Sequence, residues 1–155
     1  MVYTLGSRQE PKTPTGQNEM FQTGELSYRH AMRNGKSVDG KKQTIAEAKI
    51  LADQFVRDQY AIGLEQVNKG NIFVGFYQFG LGLHALQDGT SPAHKGFQSW
   101  TGNENLLEKQ IHNANESRFP GHHSRLQYIT TLMIGLFETK GTLPKKNLFD
   151  FFNFD

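Results

Sequence analysis

Residues 71–88, NIFVGFYQFGLGLHALQD, limit what this chain can fold into more than any other stretch. Phe73, Phe76, Tyr77, Phe79, Leu81 and Leu83 cover most of the circumference of the helix their spacing predicts. A helix that is apolar nearly all round belongs at the centre of a bundle, with other helices laid against it. Gly75, Gly80 and Gly82 interrupt the run, each lowering helix propensity by about 1 kcal/mol relative to alanine. The expected compensation is that a missing side chain lets a neighbouring helix come close.

The rest of the chain supplies such neighbours. From Thr44, the residues Ile45, Ala48, Leu51, Ala52, Phe55, Tyr60 and Ile62 recur at helical steps until Asn68-Lys69-Gly70 ends the pattern. Residues 106–117 and 126–139 predict two more helices, the second with Leu126, Ile129, Leu132, Met133, Leu136 and Phe137 on its core face. A shorter helix is expected over residues 23–34, closed by Gly35 and turning His30 inward, followed by the charged turn KSVDGKKQT. The C-terminal NLFDFFNFD alternates aromatics and is expected to lie across the bundle as an extended strap. With no internal repeat and no βαβ alternation, the fold class is predicted to be all-α, a compact bundle of about five helices. Residues 1–18, polar and carrying Pro11 and Pro14, read as a linker or arm, and 19–155 as a single helical domain.

Charge narrows the function. The formal net charge is +2, with Lys and Arg spread along the chain, whereas duplex-binding surfaces cluster their basic residues, so stable duplex binding is not expected. No apolar run is long enough to span a bilayer, and the start MVYTLGSRQEPKT lacks a signal-peptide core, so any export is expected to use another route. There is no cysteine. Any zinc must therefore be held by histidines and carboxylates.

The ligand types are present at suitable spacing. His84 and Asp88 are four apart and stack on one helix face. Their flanks are strongly apolar, and a buried ionisable pair must be paired or coordinated to offset desolvation. In the metal-free alternative, Asp88 simply caps or pairs with His84. Gly89 offers a helix stop, and Ser91-Pro92 turns the chain into a segment carrying His94. His112 and Glu116 repeat the four-residue spacing. Lys95, Phe97, Gln98 and Trp100 follow His94 as candidates for the mouth of such a site; the competing reading is that Phe97 and Trp100 only pack the turn. His122 and His123 follow a Pro-Gly turn with no acid at ligand spacing and read as surface residues.

The order H-x3-D-x5-H followed by H-x3-E, with Pro92 two residues before His94, resembles the zinc-dependent phospholipase C family and, more distantly, the fungal single-strand-specific zinc nucleases. The resemblance extends upstream through FYQFGLGLH. It implies an all-α fold in which His84 and Asp88 bind one zinc, while His94, His112 and Glu116 bind another. The family's additional upstream histidine falls on His30, assigned to the first zinc. Its acid ligand or general base is sought among Glu19 and Glu25; Glu25 would face Arg29 one turn on, leaving Glu19 as the candidate catalytic residue. The family's third zinc uses an N-terminal Trp and a nearby His; the sole Trp here is Trp100. The resemblance therefore implies two zinc ions, and leaves the metal-bridging role of Asp88 open.

A second resemblance covers more of the chain. YRHAMRNG and LHALQDGTSPAHKGFQSW are similar to C-terminal toxin domains of bacterial rearrangement-hot-spot (Rhs) and related polymorphic toxins. It implies an effector delivered to a competitor cell, acting in or at its membrane, and neutralised in the producer by a cognate immunity protein. Together the two resemblances imply a zinc-dependent phosphoesterase acting on phospholipid. The alternatives are a zinc nuclease toxin and a non-catalytic, metal-stabilised binding domain.

Overall fold

The protein is described from a computed structural model, over residues 24–37, 41–101, 103–116 and 124–152. The fold is all-α. Among the described residues a 3-10 helix, Gly24–His30, comes first, and five α-helices follow: α1 (Ile45–Asn68), α2 (Ile72–Asp88), α3 (Leu106–Glu116), α4 (Ser124–Glu138) and α5 (Leu148–Phe151). Two short strands, β1 (Arg33–Asn34) and β2 (Ser99–Trp100), pair in parallel, Arg33 opposite Ser99 and Asn34 opposite Trp100.

α1 starts where Thr44 caps it. The Thr44 hydroxyl accepts from the Glu47 backbone N–H while the Glu47 carboxylate accepts from Thr44 N–H at 2.8 Å, satisfying two donors that the helix start would leave without partners. Gly70, at φ +84°, reverses the chain, and α2 returns along α1. The two helices meet through glycine. A Cβ on Gly75 would lie 2.7 Å from the Gly63 carbonyl oxygen and 2.5 Å from the Val67 side chain, and one on Gly82 would lie 3.2 Å from the Val56 carbonyl. The close approach expected from the glycines is present at these two positions.

Around that pair the core closes. Phe137 of α4 stacks on Phe79 with centroids 4.2 Å apart, and the rings of Tyr60 and Phe76 meet it edge-on. The Tyr60 hydroxyl reaches the carbonyl oxygens of Gly141 (2.7 Å) and Leu136 (2.9 Å), so the one polar atom of a buried ring has an acceptor.

Three expectations need correction. The helix expected over residues 23–34 ends at His30 as a 3-10 helix. Ala31 then turns left-handed at φ +51°, and the backbone of Arg33 and Asn34 is taken up by pairing with β2. The C-terminal strap is instead the short helix α5, with Asn147 accepting from the Phe149 N–H at 2.9 Å. Asp53 of α1 accepts from Leu148 N–H at 2.8 Å, and Arg57 donates to the carbonyls of Pro144 and Lys146, so a turn of helix buries Leu148 and Phe149 while its backbone is tied to α1. Finally, α2 is central only beyond its first turn. Ile72, Phe73 and Val74 are exposed, Phe73 by 60%.

Candidate metal centre

His84 and Asp88 sit one turn apart on α2, and both face the end of the 3-10 helix, where His30 is 2% exposed. His30 Nδ1 lies 2.9 Å from Asp88 Oδ2 and 3.2 Å from His84 Nε2, and His84 Nε2 lies 3.1 Å from the same Asp88 oxygen. Three donor atoms therefore form a nearly equilateral triangle.

Hydrogen bonds alone do not satisfy that triangle. If both imidazoles donate to Asp88, two N–H groups face each other across the third edge. If His84 donates to His30 instead, His30 Nδ1 turns a lone pair towards the carboxylate. One edge is repulsive in either arrangement. A cation at the centre removes the conflict, since all three atoms then present lone pairs to it. Tetrahedral zinc with bonds of about 2.0–2.1 Å sets its ligand atoms about 3.3 Å apart, close to the spacing found. The donor set of two imidazoles and one carboxylate fits zinc, and it is the group among the described residues whose ligand atoms lie within 4.8 Å of one another.

The electrostatics agree. Burial alone would push the Asp88 carboxyl up, but the charge of His84, the hydrogen bond from His30 and the nearby His94 hold it well below the usual carboxylate range. The carboxylate is thus ionised and ready to ligate. The His84 side chain is 23% exposed against 3% for His30 and 12% for Asp88, so the centre opens to solvent on the His84 side. Gln87, between the two α2 ligands, donates to Thr130 of α4 at 3.0 Å and fixes the rotation of the helix end.

His94 is 1% exposed, on the turn that follows Gly89 at the end of α2. Its Nδ1 donates to the backbone carbonyl of His30. A carbonyl only accepts, so Nδ1 carries a proton, and in the neutral ring Nε2 is then left with the lone pair. The same bond ties the His94 turn to the ligand-bearing end of the 3-10 helix. The His94 ring lies 5.0 Å from that of His112, and His112 lies 4.6 Å from Trp100. The expected forward pair of His94 and His112 is therefore brought together. The Glu116 side chain, Glu19, and His122 and His123 lie outside the described residues, as does the arm over residues 1–18. Glu25 is exposed, and Arg29 stands over the Phe55 ring at 5.2 Å.

The residues after His94 divide. Phe97 is core, 2% exposed and edge-on to Phe149, because its φ of +53° turns it inward. Lys95 is exposed, while Gln98 and Trp100 line a cavity of about 450 Å3 beside His112, with Met32, Glu104 and Glu108. Glu104, in that wall, belongs to neither His-x3-acid pair of the sequence. Its signal was the Thr101-x-x-Glu104 spacing: Glu104 Oε1 accepts from the Thr101 hydroxyl at 2.8 Å, a local motif that holds the carboxylate at the cavity wall.

No helix among the described residues is long and apolar enough to cross a membrane. No protein-family model, curated protein or solved structure matches this chain.

Proposed function

We propose that the domain is a zinc-dependent phosphoesterase of phospholipase C-like character, acting as the toxic effector domain of a bacterial polymorphic toxin delivered to a target cell. The observation that carries the metal assignment is the closed triangle of His30 Nδ1, His84 Nε2 and Asp88 Oδ2, with edges of 2.9–3.2 Å. Three protein ligands with an opening towards solvent are the arrangement of a catalytic rather than a structural zinc, since structural sites fill all four positions. When bound there, the metal supplies Lewis acidity and a water ionising near neutral pH, as phosphate-ester cleavage requires. The chain's own residues do the positioning. Asp88 brings the negative charge, His30 is locked by burial and by the His94 bond to its carbonyl, and His84 stands at the solvent side. The adjacent pair of His94 and His112, rings 5.0 Å apart, supports the finer reading of a second ion completed by Glu116. Phospholipid as substrate is favoured by Glu116, the low net charge and the aromatic-rich tail, and Glu19 as base and an immunity partner follow from the resemblance.

Metal content by mass spectrometry tests this first: zinc should fall in His84→Ala, and the second ion alone should fall in His112→Ala. Hydrolysis of phosphatidyl lipids and of single-stranded DNA, with zinc and with chelator, then assigns the substrate. Zinc-free protein with unchanged melting temperature after chelation would remove the proposal.

A further inference from the structure

The outer face of α1 carries a surface that neither the core nor the metal centre uses. Ala48, Ala52 and Val56 turn the buried stripe of α1 inward. Away from it, Ile50 is 63% and Leu51 42% exposed. A hollow of about 460 Å3 opens beside them, walled by Lys36, Lys41 and Lys42. Leu51 also borders a second hollow, lined by Tyr28, Arg29, Phe55 and Ile62. Aliphatic and aromatic groups and cations thus run together along one side of the molecule. Among the described residues, the acids on this face are held in local bonds: Glu47 accepts from the Thr44 N–H at 2.8 Å, and Asp58 accepts from Gln54 at 2.8 Å.

Charge and chemistry select the occupant. An acidic polypeptide would meet the lysines but leave Ile50 against a polar chain. A bilayer surface offers both partners at once: anionic head groups for the lysines, and the acyl boundary for exposed aliphatic side chains. We propose that this face docks on an anionic phospholipid surface, Lys36, Lys41 and Lys42 meeting lipid phosphates and Ile50 and Leu51 entering the head-group boundary. Tyr28 and Arg29 belong to the same 3-10 helix as His30, so docking brings the helix that carries a metal ligand to the lipid. Docking itself needs neither the metal nor catalysis.

The test is flotation of the full chain, treated with chelator, with vesicles of phosphatidylcholine alone or mixed equally with phosphatidylglycerol. The protein should float only with the anionic vesicles, less so as salt rises. Each Lys→Gln change at positions 36, 41 and 42 should lower partitioning about fivefold, and the triple change on the order of a hundredfold. The pair Ile50→Ser and Leu51→Ser should weaken flotation while leaving its salt dependence in place. All five residues are exposed, so melting curves and zinc content of the untreated variants should match wild type, which separates lost docking from a failed metal centre. Absence of flotation with anionic vesicles, or a triple variant that floats as wild type does, overturns the proposal. Capture on immobilised polyglutamate without vesicle binding also overturns it, in favour of an acidic protein partner.

Discussion

Gly75→Ala is the substitution in which two opposing effects can be weighed from the structure. Alanine gains up to about 1 kcal/mol of helix propensity over glycine. Against this, the new methyl would sit 2.5 Å from Val67 Cγ2 and 2.7 Å from the Gly63 carbonyl oxygen, whereas carbon atoms pack at about 3.5–4.0 Å. One neighbour is helix backbone and cannot rotate away, so α2 must move off α1. Overpacking of this kind costs about 1–3 kcal/mol and more where backbone must shift. The overlap wins, leaving a net loss of about 1–2 kcal/mol and a fall in melting temperature of roughly 3–8 °C. Gly135 of α4 is the control, since a Cβ there meets nothing within 4 Å; Gly135→Ala should gain about 0.5–1 kcal/mol. Thermal melts of the two variants should move in opposite directions. A Gly75→Ala protein that melts above wild type would refute the close helix contact, and with it the spacing that sets His84 opposite His30.

Zinc at a hundredfold over its dissociation constant should stabilise the domain by about 2.7 kcal/mol, raising the melting temperature by on the order of 10 °C, reversibly with chelator and not at all in His30→Ala. Because a ligating imidazole must be neutral, that gain should fade below about pH 6, as calorimetric titration across pH would register. In chelator, Asp88→Asn should be less stable than wild type at neutral pH by about 1.5–3 kcal/mol. The Asp88 carboxyl is held below its ordinary range, so its contribution is complete above about pH 4 and disappears as pH falls through the depressed value; urea melts at graded pH should show the two proteins converging only in strong acid. Phe137→Ala removes a ring stacked on Phe79 and met edge-on by Tyr60 and Phe76, and should cost about 3–5 kcal/mol by denaturant titration.

What the sequence by itself determined is local. Apolar recurrence at helical steps marked out the four longer helices, because that periodicity is imposed by each helix on its own residues. The four-residue spacing likewise put His84 and Asp88 on one face of α2, as they are found. Tertiary structure decided the rest. A short helix near a terminus is too brief to be stable alone, so where it stops depends on contacts: β2 claims Arg33 and Asn34, and Asp53 and Arg57 of α1 hold the segment around α5. The helical stripe turns His30 inward and the resemblance assigns it to the first zinc, but neither measures its distance from Asp88. His30 Nδ1 reaches Asp88, 58 positions away in the chain, through the packing of the 3-10 helix against both α1 and α2. Which ring nitrogen faces the centre, and that His94 reaches back to the His30 carbonyl, follow from packing between distant segments, where no spacing along the chain records the distance in space.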